Sequence, residues 1–336
     1  MSVKPLKKMA TLAMFLALCV VMLGAYTRLT DAGLGCPDWP GCYGRMVLPS
    51  TNEGLNHAQI KYPQLPIEKS KAWTEMVHRY AAGMLALLIF GMLLTVWHKH
   101  RKGYHLPWHL PVFLLFLVIF QALLGMWTVT LKLLPVVVMA HLLGGIMIFS
   151  SLCRFRAELS EWPTENLPSY RLWIGLAVII VFCQIALGGW VSANYAGVSC
   201  VGFPSCNGVF WPSMHFSEGF NLFSPVGANY QGGLLENEVR VSIQMVHRVG
   251  AIITALYVLA LSSTVLVRSK PRSVLFMAAA LALVLVLIQF TLGVMNVIYL
   301  LPLPVAVAHN GVAALLLATL FTMLHLTKSR RGGYAN

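Results

Sequence analysis

The chain has 336 residues, of which 58% are hydrophobic and only 10% are charged, and its mean hydropathy is +0.72. Soluble domains carry roughly a quarter charged residues, and disordered chains combine low hydrophobicity with high charge, so both classes are excluded. At roughly 20 residues for each membrane-spanning helix, the length allows about eight spans. The net charge of +13 then indicates basic residues on the cytoplasmic face of a membrane rather than a nucleic-acid-binding surface.

Eight apolar stretches are long enough to cross a bilayer, which predicts an all-α, polytopic membrane protein. They cover residues 9–27, 74–97, 109–131, 134–153, 172–193, 241–267, 274–299 and 303–326. The first stretch follows three lysines, as a signal peptide would. Its apolar core is too long for a signal peptide and no small-residue cleavage site follows, so an uncleaved anchor is predicted.

Basic residues predict the orientation of these spans. Five clusters of three lie before the first span and after every even-numbered span: Lys4/Lys7/Lys8, Lys99/Arg101/Lys102, Arg154/Arg156/Arg171, Arg268/Lys270/Arg272 and Lys328/Arg330/Arg331. Because lysine and arginine concentrate in cytoplasmic segments, both termini are predicted to be cytoplasmic, with loops 28–73 and 194–240 outside. A short N-terminus without a transit peptide favours a bacterial inner membrane, with these loops on the periplasmic side.

The two halves of the chain repeat the same motifs in the same order. The matching positions are Leu23-Gly24 through Cys36, Cys42 and Gly44 with Leu187-Gly188 through Cys200, Cys206 and Gly208 (offset 164), Met76–Arg79 with Met245–Arg248 (offset 169), and Gln121, Gly125 and His141 with Gln289, Gly293 and His309 (offset 168). This repeat predicts two tandem, pseudo-symmetric four-helix bundles, residues 1–160 and 161–336. A pseudo-two-fold axis along the membrane normal would relate them.

Four histidines fall within predicted spans, each about five or six residues from the outer end of an even-numbered span: His78, His141, His247 and His309. Their helices run in the same direction, so the imidazoles are predicted at similar depth, roughly 7–9 Å below the outer boundary at 1.5 Å per residue. Two parallel helices that each present one imidazole at equal height favour a bis-histidine haem site in each half. The alternatives are buried histidines that only accept or donate structural hydrogen bonds, and zinc, which prefers a tetrahedral ligand set.

Charged residues beside these histidines differ between the halves. Arg79 and Arg248 each follow a candidate ligand, where a guanidinium would suit either a haem propionate or a lipid head group. Glu75 lies one helical turn before the first histidine and is the only acidic residue within a predicted span, whereas Gln244 takes the matching position in the second half. A carboxylate at a haem edge can exchange protons, so we interpret Glu75 as functional rather than as a residue favoured only by the helix dipole.

Four of the seven cysteines form two pairs of equal spacing, Cys36/Cys42 and Cys200/Cys206, in the outer loops. Disulfides persist on the outer, oxidising side of the membrane, and turn-rich residues separate each pair. One disulfide-closed loop is therefore predicted in each half, with metal binding or redox chemistry as the second interpretation. The other cysteines are interpreted as small apolar residues of the spans.

Together these motifs resemble the haem A synthase family over essentially the whole chain. The resemblance rests on Leu-Gly-Ala-Tyr-Thr-Arg-Leu-Thr, Cys-Pro-Asp-Trp-Pro-Gly-Cys, Glu75-x-x-His78-Arg79 and Ala140-His141 within a duplicated pattern. It implies two four-helix bundles that each hold a haem through two histidines. It also implies conversion of haem O to haem A, in which successive hydroxylations and loss of water turn the C8 methyl into a formyl group.

The resemblance further implies a role for each half. His78 and His141 would bind the iron of the substrate haem O, with Glu75 as the catalytic carboxylate. His247 and His309 would bind a haem b that relays electrons, and the two cysteine pairs would be the family's loop disulfides. The expected partners are haem O synthase, terminal oxidase assembly factors and membrane lipid, without nucleic acid, and a homo-oligomer stays open.

Two other functions fit parts of the pattern. A di-haem membrane cytochrome b that only transfers electrons would need the same four histidines, but it gives no reason for an acidic residue in one half alone. A transporter built from parallel repeats would place its polar residues near the middle of the bilayer rather than near its outer edge.

Overall fold

The computed structural model describes residues 3–63, 66–160, 162–165 and 167–327, and within these ranges the chain is helical without β-strands. The helices are α1 (Lys4–Leu29), α2 (Asn52–Lys61), α3 (Lys69–Arg101), α4 (His109–Thr130), α5 (Pro135–Ser160), α6 (Pro168–Ala193), α7 (Phe216–Gly219), α8 (Asn237–Arg268), α9 (Val274–Ile298) and α10 (Leu303–Leu326). All except α2 and α7 are long and apolar enough to cross a membrane. The predicted eight spans of an all-α membrane protein are confirmed.

Several helices extend beyond the apolar stretches that predicted them. Helix α3 has 33 residues and α8 has 32, because polar turns continue each helix at its ends. Helix α5 runs to Ser160, so Glu158 also lies in a membrane-length helix, where its carboxylate is 3.2 Å from Nε of Arg154. The last basic cluster, Lys328/Arg330/Arg331, lies outside the described residues.

The outer connections have the same backbone conformation in both halves. Lys132 and Leu133 link α4 to α5 with φ of 49° and 62°, and Leu300 and Leu301 link α9 to α10 with φ of 55° and 60°. Two successive left-handed residues reverse the chain within a very short turn, although non-glycine residues adopt this conformation only at a cost. Helices joined by such a short turn must pack side by side.

Helix packing follows the sequence repeat. In the first half, α1 and α4 each pack on α3 and α5, and in the second half α6 and α9 each pack on α8 and α10. Between the halves, α5 packs on α10, while α1 packs on α10 and its counterpart α6 packs on α5. Every contact between membrane-length helices therefore has a counterpart. This correspondence supports two tandem bundles, whereas the symmetry axis and the cytoplasmic termini stay predictions.

The main apolar core lies toward the inner side of the four histidines. It contains residues from all eight membrane-length helices, among them the fully buried Leu114, Leu152, Phe155, Ile174 and Leu317. Close packing at this level holds the eight helices together. The polar side chains that follow lie in the outer part of the bundles.

Candidate haem sites

Each predicted histidine ligand packs against a glycine of a neighbouring helix. An ideal Cβ on the glycine would approach the imidazole Cε1 closely in all four pairs: Gly24 and His78 (3.1 Å), Gly125 and His141 (3.3 Å), Gly188 and His247 (3.1 Å), and Gly293 and His309 (3.2 Å). Contacts this short are tighter than side chains usually make, so a larger residue would push the ring away. Glycine at these four repeat-related positions therefore gives each imidazole its space between two helices.

The structure brings the two N-terminal ligands together. The ring centroids of His78 on α3 and His141 on α5 are 6.4 Å apart, and the ring planes are inclined by 80°. Two metal–nitrogen bonds of about 2 Å, added to the radii of the two rings, account for this separation. Both Nδ1 atoms are buried without a hydrogen-bond partner among the described residues. The pair fits a metal held between two imidazoles.

The two C-terminal ligands line one cavity. His247 on α8 and His309 on α10 border a space of about 340 Å³, within the range of sites that hold small molecules and cofactors. Nε2 of Gln184 lies 3.0 Å from Nδ1 of His247, and Nε2 of Gln289 lies 3.2 Å from Nε2 of His309. A glutamine amide thus contacts one nitrogen of each ring, Nδ1 of His247 but Nε2 of His309, as outer partners of metal ligands do. Nδ1 of His309 is buried and, like Nδ1 of both N-terminal rings, has no hydrogen-bond partner among the described residues.

Zinc fits the described site less well than haem. No group of three or more histidine, cysteine, aspartate or glutamate side chains is placed to hold a metal ion within the described ranges. Zinc sites in proteins use three or four such ligands, whereas a haem supplies four nitrogens of its own and needs two axial ligands.

The glutamine of the N-terminal half has a different environment from its counterpart. Gln121 matches Gln289 in the repeat, but its amide lies against Gly144 of α5, where a Cβ would be only 1.7 Å from Nε2. This buried Nε2 has no hydrogen-bond partner among the described residues. At the repeat position of Gly144, α10 carries Val312. The glycine therefore provides the space in which the Gln121 amide lies.

Glu75 is buried beside the N-terminal pair, with a relative exposure of 5%. Its Oε2 accepts a hydrogen bond from the backbone N–H of Cys36 at 2.9 Å, and its Oε1 forms an ion pair with Arg79. Both carboxylate oxygens are thus engaged, and the guanidinium compensates the buried negative charge. In the second half, Gln244 lines the cavity, and its Nε2 approaches the carbonyl of Gly197 at 3.5 Å.

Both predicted cysteine pairs are joined. The bonds Cys36–Cys42 and Cys200–Cys206 close loops over the outer ends of the bundles, and the Cα atoms are 4.9 Å apart in each pair. Each second cysteine also forms an isolated β-bridge three residues along, to Arg45 or to Val209. The two loops therefore have the same local architecture.

The arginines that follow the histidines bind these loops. Arg79 donates to three carbonyls of the first loop: Asp38 (3.0 Å), Pro40 (3.3 Å) and Gly41 (2.5 Å). Arg248 donates to three carbonyls of the second loop: Gly202 (2.9 Å), Ser205 (3.1 Å) and Cys200 (2.5 Å). The sequence alone leaves haem propionates and lipid head groups as alternative partners of these side chains. The structure adds a third role, in which each arginine fixes a disulfide loop to its helix, and propionate contact stays a prediction.

Comparison with known proteins agrees with this arrangement. A family described as cytochrome oxidase assembly protein matches residues 7–321. The chain belongs to this family. It is 43% identical over 314 residues to the heme A synthase of Shewanella oneidensis, covering 91% of this chain and 92% of that protein. It is 28% identical to heme A synthases of Shouchella clausii (96% of this chain, 95% of that protein) and Allorhizobium ampelinum (91% and 85%).

In this family member, sequence reasoning missed a polar cluster between the halves. Nη2 of Arg28 donates to the carbonyl of Ser192 at 2.5 Å, and the hydroxyl of Tyr195 donates to Oδ1 of Asp31 at 2.7 Å. Burial raises the pKa of Tyr195, and the Arg28 guanidinium, 4.0 Å from the ring centroid, opposes part of that rise. Each bonded pair is related by the repeat offset of 164. The sequence does contain a signal for this cluster, because the two members of each pair occupy the same repeat position but differ in residue type.

Proposed function

We propose that this protein is a haem A synthase, a membrane oxidoreductase that converts the C8 methyl group of haem O into the formyl group of haem A. The observation that carries the proposal is the pair of histidine sites built on one plan, of which only one has a buried carboxylate. Two identical sites would suffice for electron transfer. An acidic residue beside one site indicates that proton exchange takes place there.

In this proposal the halves divide the work. His78 and His141 of residues 1–160 bind the iron of the substrate, and His247 and His309 of residues 161–336 bind a haem b. When bound, haem b supplies reversible one-electron transfer. The glutamines beside the C-terminal histidines orient the rings, and the apolar core on the inner side keeps water away from the site.

Glu75 is the proposed proton acceptor. Oxidation of a methyl to a formyl group removes protons as well as electrons, and a carboxylate one turn from an axial ligand is close enough to take part. The ion pair with Arg79 engages Oε1 of Glu75, so proton uptake at that oxygen requires that this ion pair loosens. The disulfide loop that contains Cys36 contacts both Glu75 and Arg79, so this loop helps to position the proposed proton acceptor.

The cellular location and the partners of the protein follow from its proposed function as a haem A synthase. Haem O carries a long isoprenoid tail, so the enzyme and its substrate meet in the membrane. We propose a bacterial inner membrane, with the disulfide loops on the periplasmic side, where disulfides form and persist. Haem O synthase and terminal oxidase assembly factors are the proposed partners.

Conversion of haem O in membranes tests the function directly. Membranes that contain the protein are supplied with haem O, and the pigments are extracted and separated by chromatography. We expect haem A to accumulate, and membranes without the protein serve as the control. Unchanged haem O in membranes that hold a full complement of haem b would overturn the proposal in favour of an electron-carrying cytochrome b.

A further inference from the structure

We propose that Arg28, a residue of the N-terminal half, binds a propionate carboxylate of the haem held by His247 and His309 in the C-terminal half. The inference rests on the proposed function, since it takes the ligand of this cavity to be haem b. It adds a residue from the other half to the binding site.

The cavity extends across the boundary between the two halves. Arg28 and Asp31, at and just beyond the outer end of α1, line the same space as the two C-terminal histidines. Leu142 and Ile146 of α5 also border this space. The first half therefore provides part of the wall of the second site, as expected where α1 packs on α10 and α5 packs on α6.

Arg28 keeps donors available for an anion. Its side chain is only 16% exposed, and its buried Nε has no hydrogen-bond partner among the described residues. Nη1 is 3.4 Å from Oδ1 of Asp31, a long contact to an oxygen that already accepts from Tyr195 at 2.7 Å. A planar guanidinium with uncommitted N–H groups is well suited to bind a carboxylate through two parallel hydrogen bonds.

The other charged residues of the cavity are less suited to this role. Arg248 also lines the cavity, and its buried Nε, like that of Arg28, has no hydrogen-bond partner among the described residues. The terminal nitrogens of Arg248 donate three hydrogen bonds to loop carbonyls, whereas those of Arg28 donate one to the carbonyl of Ser192 and make one long contact with Asp31. Asp31 repels a carboxylate, and the hydroxyl of Tyr195 partly compensates its charge. A haem brings two propionates that need cationic partners near the outer surface. Arg28 is the arginine in this cavity that retains the larger donor capacity.

The repeat makes this arrangement specific to one site. The position of Arg28 in the first half corresponds to Ser192 in the second, so α6 offers no arginine to the N-terminal site. A fixed propionate anchor suits a haem that stays bound. A substrate that must leave as product gains nothing from such an anchor.

Redox titration of purified Arg28→Gln protein tests the proposal. A positive charge near a haem disfavours the oxidised iron, so its removal lowers the midpoint potential. We expect the oxidation equilibrium of haem b to change about tenfold, equivalent to about 59 mV for one electron. Arg28→Lys keeps the charge and should retain most of the wild-type potential. Arg240→Gln is the matched control, because Arg240 donates to loop carbonyls of the same half but does not line the cavity.

The outcomes separate this inference from the proposed function. An unchanged potential in Arg28→Gln, or an equal shift in Arg240→Gln, overturns the inference even when the wild type converts haem O. If Arg28→Gln loses haem b, retention of haem b at the wild-type potential in Arg28→Lys supports the inference, and loss of haem b in both overturns it. If Arg28→Gln shifts the potential of haem b as expected but the wild-type protein does not convert haem O, only the proposed function is contradicted.

Discussion

In the C-terminal half a glutamine amide contacts one ring nitrogen of each candidate ligand, Nδ1 of His247 and Nε2 of His309, whereas among the described residues no glutamine amide lies at hydrogen-bond distance from either ring of the N-terminal half. The helices, the glycines under the rings and the disulfide loops are otherwise alike. Outer hydrogen bonds fix the orientation of a metal ligand and strengthen binding. The C-terminal rings are therefore suited to a haem that remains bound, and the N-terminal rings to a haem that enters as substrate and leaves as product.

The halves also differ in the charge beside the ligands. Glu75 and Arg79 form a buried ion pair in the N-terminal half, and Gln244 replaces the acid in the C-terminal half. A buried ion pair is weak evidence for stability, because desolvation offsets much of its attraction. A neutral amide would serve as well if the only task were to hold the loop. The acidic residue therefore distinguishes the half that exchanges protons from the half that transfers electrons.

Removal of one ligand from each half should have the largest effect. We expect His247→Ala to lose haem b and His78→Ala to retain it, since each histidine belongs to a different site. The loss should exceed the roughly 10- to 100-fold weakening that outer-shell changes produce. Absorbance spectra of the purified variants measure the haem b content. A full haem b band in His247→Ala would contradict the assignment of the C-terminal ligands.

Substitution of the carboxylate should separate chemistry from haem binding. Glu75→Gln keeps the size of the side chain and removes the proton acceptor, so we expect haem A formation to fall about 10²- to 10⁴-fold while haem b stays bound. Gln244→Glu is the matched change in the other half, and it should leave the conversion rate much closer to wild type. Product analysis after incubation with haem O gives both rates. Normal turnover of Glu75→Gln would remove its proposed role.

Sequence reasoning found the features that depend on local pattern. The eight helices follow from long apolar stretches, and each of His78, His141, His247 and His309 lies in its expected helix near the outer end. The cysteine pairs were predictable because turn-forming residues separate the two cysteines of each pair, which lie only six positions apart in the chain. These features need no knowledge of how distant helices pack.

Features that depend on packing across the repeat were not predictable. Arg28 binds the carbonyl of Ser192, 164 residues away in the chain, only because the outer end of α6 lies within reach of the long arginine side chain. The partners of Arg79 depend on a loop that folds back over α3, and sequence spacing carries no information about that fold. Gln121 and Gln289 occupy the same position of the repeat, and only the packing of α4 on α5 reveals that Gly144 changes the environment of one of them.

A third test removes the repeat-related glutamine of each half and compares how firmly haem b is then retained. Gln289→Leu removes the amide beside His309, so we expect roughly tenfold weaker retention of haem b. Gln121→Leu is the matched control, because the Gln121 amide lies against Gly144. Dilution of purified protein into apomyoglobin, which captures released haem, measures retention. Equal loss of haem b from both variants would show that the glutamine contact does not distinguish the sites.

The smallest expected effect comes from Gly144→Ala, which should make the N-terminal site more like the C-terminal one. A Cβ at this position would overlap the end of the Gln121 side chain, which is flexible and can turn away. His141 lies three residues before Gly144 on the same helix, and its buried Nδ1 has no partner among the described residues, so we expect the displaced amide to form the contact that Gln289 makes with His309. We then expect slower release of haem from the N-terminal site, by a few-fold, with unchanged release of haem b. Release of substrate and product haem to apomyoglobin provides the measurement, and Gly175→Ala, where an added Cβ contacts nothing within 4 Å, is the control. If haem left the Gly144→Ala site at the wild-type rate, the space beside Gln121 would not explain why the two halves hold their haems differently.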